Sequence, residues 1–74
     1  MNIVSNTSDA KRYAELQEGM ADLGYRLVIT PERDGSATVF VENETSGFEA
    51  LHTHPTVQAA VEDNEARLTH MRKP

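Results

Sequence analysis

Tyr25-Arg26-Leu27-Val28-Ile29-Thr30-Pro31-Glu32-Arg33-Asp34-Gly35-Ser36-Ala37-Thr38-Val39-Phe40-Val41-Glu42 holds two β-branched runs joined by a turn. Period-two alternation marks Tyr25 to Thr30 and Ser36 to Glu42 as strands, and Asp34-Gly35 between them is a hairpin signal. Two registers compete. A two-residue loop at Asp34-Gly35 sets Ile29 opposite Phe40. A three-residue loop through Arg33 and Asp34, with Gly35 left-handed in a bulge, sets Ile29 opposite Val39. A slip of one residue turns every side chain to the other face, so the apolar pattern decides. The second register gathers Tyr25, Leu27, Ile29, Ala37, Val39 and Val41 on one side and leaves Arg26, Val28, Thr30, Thr38, Phe40 and Glu42 on the other. It is the register expected here.

Upstream of the hairpin, Ala10, Tyr13, Leu16, Met20 and Leu23 recur at spacings of three and four, which predicts a helix from about Ser8 to Leu23. Thr7 or Ser8 suits its N-cap, with Asp9 near the positive end of the dipole, and Gly24 suits the left-handed position that ends it. Gly19 is an interior glycine. Either the helix tolerates it, or something packs closely against it. Downstream, after the polar turn Asn43-Glu44-Thr45-Ser46-Gly47, Phe48-Glu49-Ala50-Leu51-His52 reads as a short third strand. Thr53-His54-Pro55-Thr56 then announces a second helix, with Pro55 in the first turn or Thr56 as the N-cap. Val57, Ala60, Val61, Leu68 and Met71 form its apolar stripe, which Asn64 interrupts. The order helix, strand, strand, strand, helix predicts an α+β two-layer sandwich, α-β-β-β-α, with a three-stranded antiparallel sheet under two helices. Residues 1–74 make one small domain, in which residues 1–7 are flexible or, through Ile3 and Val4, a short edge strand.

The chain has 74 residues, 38% of them hydrophobic and 26% charged, with a formal charge of −5. A single core is marginal at this size, and such scaffolds lean on disulfides, a metal or self-association. Cysteine is absent, so disulfides are excluded and a reducing, cytoplasmic setting is expected. The opening Met1 to Asp9 has neither the basic nor the apolar region of a signal peptide, and no window is apolar enough for a membrane span. The net negative charge opposes direct binding to a phosphate backbone.

Chemistry-bearing patterns are few. His52 and His54, two residues apart in extended chain, would project to one side and are weak candidates for a metal, but no zinc spacing accompanies them. No nucleophile motif occurs, and the glycines are isolated turn residues rather than a phosphate-cradling loop. The expectation is a protein that is not an enzyme and carries no cofactor.

Charge patterning says more. From Asp34 to Ala66 there is no lysine or arginine, while Glu42, Glu44, Glu49, Glu62, Asp63 and Glu65 lie in that interval. If these carboxylates share an edge, the molecule offers an anionic surface for a protein partner with a basic groove; the bland alternative is a surface that merely keeps a small domain soluble. Val28 and Phe40, directly opposed in the expected register and joined by Leu51, form a second candidate patch, for a partner or for a homodimer. In the other register Phe40 belongs to the core.

Thr56-Val57-Gln58-Ala59-Ala60-Val61 and Glu65-Ala66-Arg67-Leu68, following three strands, resemble the small domain of HicB-type antitoxins over Tyr25 to Leu68. That resemblance implies a protein-binding module of antitoxin type. The full element order is also similar to a double-stranded-RNA-binding domain. There, however, the last helix opens with lysines, and here it carries Glu62, Asp63 and Glu65. Small size, acidity and lack of cysteine are similar to small phage proteins such as anti-CRISPRs, which implies an inhibitor that docks on a nucleic-acid-handling complex.

Overall fold

The hairpin closes in the bulged register. In the structure, a computed structural model describing residues 7–73, β1 (Arg26–Pro31) runs antiparallel to β2 (Ala37–Asn43), with Ile29 opposite Val39 and Val28 opposite Phe40. The Glu32 N–H donates to the Ser36 carbonyl and the Gly35 N–H to the Glu32 carbonyl, while Gly35 takes φ +90°. The extra residue is thus absorbed at a left-handed position open to glycine. Asp34 Oδ1 accepts from both the backbone N–H and the hydroxyl of Ser36, which pins the turn and holds the Asp34 carboxyl below its ordinary range.

β3 (Phe48–His54) adds antiparallel to the other side of β2, giving the sheet order β1-β2-β3. It is two residues longer than expected, so His52 and His54 both sit in the strand and point to one face. The helices α1 (Thr7–Asp22) and α2 (Val57–Arg72) cover that same face. Leu27, Ile29, Ala37, Val39 and Val41 from the sheet meet Leu16 and Met20 of α1 and Ala60, Val61 and Leu68 of α2 in one buried cluster. The α+β order and the three-stranded antiparallel sheet are those the pattern predicts. The expected caps of α1 at Thr7, Ser8 and Asp9, and the Ile3–Val4 edge strand, involve side chains or residues outside those described.

Local rules set the element ends. Gly24, at φ +89°, carries α1 into the sheet: its N–H donates to the Ala21 carbonyl and that of Tyr25 to the Met20 carbonyl. This paired closure satisfies carbonyls that the last turn would orphan. At α2 the N-cap is Thr56, whose hydroxyl accepts from the Ala59 N–H at 3.0 Å. The helices run in the same direction. Arg12 grips Glu65 through Nε (3.2 Å) and Nη2 (2.6 Å), and a turn or two later Gly19 lies against Leu68 and Arg72.

Candidate partner-binding surface

Antiparallel pairing arranges the sheet face away from the helices into three cross-strand rows. Thr30, Thr38 and Thr53 form one, Val28, Phe40 and Leu51 the next, and Arg26, Glu42 and Glu49 the third. Among the described residues nothing lies over this face. Val28 and Phe40 are half-buried by their flanking neighbours, whereas Leu51 on the edge strand is 70% exposed, the most open large apolar side chain described. An exposed apolar row framed by polar rows has the composition of a contact patch.

The acidic residues do not form one border. Glu42 and Glu49 oppose each other on the outer face, with Glu44 in the turn just beyond them. Glu62, Asp63 and Glu65 belong to α2, in the other layer. The expected contiguous edge is corrected on this point, because Glu42 and Glu49 project from the sheet face that the helices leave bare, whereas α2 packs on the other face. Three of the six carboxylates also pair with arginine or histidine side chains. Glu42, its side chain 18% exposed, pairs with Arg26 at 3.0 Å. Glu65 pairs with Arg12, whose guanidinium holds the carboxyl below its usual range. Asp63 accepts from His54 Nε2 at 3.1 Å and from Arg67 Nε at 3.0 Å, and both, the histidine first, lower its pKa. The lysine- and arginine-free interval is therefore neutralised in part by cations from outside it: Arg67 by i,i+4 spacing, Arg26 by strand register, and Arg12 through a contact between the helices.

The histidines part ways despite sharing a face. His54 donates from Nε2 to Asp63, since a carboxylate only accepts, and its Nδ1 is buried without a partner. His52 lies opposite Val39 and lines an apolar groove of about 330 Å³ between β3 and the C-terminal half of α2. Tyr25, Phe48 and Met71 form much of its wall, with Arg67 and His70 at the rim. Tyr25 and Phe48 meet edge to face at 6.2 Å between ring centres. Asn64, the interruption in the apolar stripe of α2, is 3% exposed, gives its amide to the Ala60 carbonyl and faces the same groove. No group of three His, Cys, Asp or Glu side chains among the described residues is placed to hold a metal ion. No described helix is long and apolar enough to cross a membrane.

The two sheet edges differ, which the sequence does not reveal. At β1 the Tyr13 hydroxyl accepts from the Ile29 N–H at 2.9 Å, and Gln17 Nε2 donates to the Leu27 carbonyl at 2.9 Å and to the Tyr13 hydroxyl at 3.1 Å. Helix α1 thus occupies that edge. At β3 the pairing with β2 leaves the backbone groups of Glu49, Leu51 and Thr53 turned outward, because hydrogen bonding alternates along an antiparallel strand.

No protein-family model matches the chain, and no curated protein or solved structure matches it.

Proposed function

We propose that the protein is a non-enzymatic acidic binding module that docks on a basic, nucleic-acid-handling protein, in the manner of small phage inhibitors such as anti-CRISPRs. The observation that carries the reading is the uncovered outer sheet face: the apolar row Val28, Phe40, Leu51 beside Glu42, Glu49 and Glu44. An apolar centre supplies affinity when it is desolvated, and carboxylates at its margin speed association with a cationic partner. Glu62, Asp63 and Glu65, in the other layer, are outside this surface. A cysteine-free chain with net charge −5 suits a cytoplasmic partner of that kind. The alternative reading is a HicB-like antitoxin or oligomerising module that turns the same sheet face toward a protein partner.

The test captures a partner from bacterial lysate on immobilised protein, identifies it by mass, and measures its association with variants. Phe40→Ser is expected to weaken binding at least tenfold. Glu44→Lys with Glu49→Lys is expected to slow association several-fold at low salt, with the difference shrinking at high salt. Glu62→Lys leaves both unchanged. A partner that binds Phe40→Ser and the double reversal as tightly and as fast as wild type removes the proposal.

A further inference from the structure

β3 is an open edge with a self-complementary register. Its outward backbone groups belong to Glu49, Leu51 and Thr53, spaced evenly about Leu51, the midpoint of Phe48–His54. Natural sheets blunt such edges with proline, inward charges or a covering element. Here α1 performs that task at β1, and among the described residues nothing does so at β3. We propose that β3 pairs antiparallel with β3 of a second copy about a two-fold axis through Leu51, making one continuous six-stranded sheet.

Charge and backbone hydrogen bonding favour this register over those centred on Glu49 and Thr53. Centred on Leu51, Glu49 lies opposite the second copy's Thr53, Leu51 opposite its counterpart, and Ala50 opposite the second copy's His52. Centred on Glu49, two carboxylates would face each other across the axis. Centred on Thr53, Leu51 would face the second copy's Pro55, which has no N–H to give. The Leu51 pairing uses all three outward residues of each strand and adds about six backbone hydrogen bonds. It also joins Val28, Phe40 and Leu51 of both copies into a single apolar row and covers the most exposed large apolar residue of the chain. The contact shares Leu51 and Glu49 with the outer face proposed above but is made by the backbone groups of the β3 edge, so Phe40 and Glu44, which lie outside it, tell the two readings apart.

Sedimentation equilibrium from low micromolar to millimolar protein tests the pairing, with circular dichroism as the check on folding. Wild type is expected to shift from monomer to dimer over that range. Thr53→Glu places a carboxylate opposite Glu49 at two symmetric points and should raise the dimer Kd about tenfold. Glu49→Lys in the Thr53→Glu background should restore it to within about threefold, by recreating opposite charges at the same two points. Thr53→Pro removes an outward N–H without touching the pairing to β2 and should abolish dimerisation while the fold persists. A wild-type monomer at millimolar concentration overturns the proposal, as does a dimer indifferent to Thr53→Glu and Thr53→Pro. Phe40→Ser is expected to leave the dimer Kd within about threefold, which separates this contact from partner binding.

Discussion

Gly19 shows how one missing side chain sets the spacing between two helices. A Cβ at that position would lie 2.6 Å from Leu68 Cδ2 and 2.7 Å from Arg72 Nη2, closer than packed atoms approach. Gly19→Ala would gain about 1 kcal/mol of helix propensity but must displace the buried Leu68, at about 1–3 kcal/mol. The expected outcome is a net loss of about 1 kcal/mol in urea unfolding, and a larger loss for Gly19→Val. Sequence marks the glycine as an anomaly yet cannot name what lies over it, because Leu68 arrives from the far end of the chain. Glu65 poses the same problem for charge. Its carboxyl titrates lower in the folded protein than in the unfolded chain, owing to Arg12. Its stabilisation is therefore complete above the unfolded value and lost as the pH falls through the folded one. Glu65→Gln should cost about 0.5 kcal/mol near neutral pH, since the pair is partly exposed. The gap to wild type should close as the pH falls below the ordinary glutamate range and through the lowered folded-state pKa, followed by denaturation at each pH.

Among the elements, the strands and their register were readable because each rule involved is local. Alternation chose the faces, and the glycine bulge fixed the offset between Ile29 and Val39. Edge protection is not local. Tyr13 reads in sequence as one more apolar position on α1, whereas in the fold its hydroxyl receives the Ile29 N–H and the Gln17 amide. Tyr13→Phe leaves that N–H without an acceptor and should cost about 1–2 kcal/mol. Hydrogen exchange supplies the specific check, since Ile29 should lose protection while Val39, on the strand opposite, keeps its own. The third strand ran two residues past its expected end because pairing with Ala37 and Thr38 holds Thr53 and His54 extended, a constraint from β2 rather than from their own propensity.

For the molecule as a whole, the charge pattern along the chain and the charge pattern on the surface diverge. An interval without lysine or arginine promised a continuous acidic border, but the fold splits it between layers and supplies Arg12, Arg26 and Arg67 from outside it. The apolar outer row, by contrast, was legible as soon as the register was chosen, because cross-strand neighbours follow from register alone. If that surface serves a partner and β3 serves a second copy, stability and assembly are linked. The thermal midpoint should then rise by several degrees as protein concentration increases a hundredfold through the dimer Kd, a dependence that Thr53→Pro would erase.

The common direction of α1 and α2 has one more consequence. Peptide dipoles in antiparallel neighbours cancel, whereas here they add, so two carbonyl-bearing termini sit side by side at one pole. Arg72 lies across Gly19 at that pole, one turn from where α1 stops, with His70 beside it in the last turn of α2. The two C-terminal ends thus concentrate backbone partial charge at one pole, where the cationic Arg72 lies. A cation seated at that pole is favoured by both helix ends at once, an effect that salt weakens and that fades within about one turn.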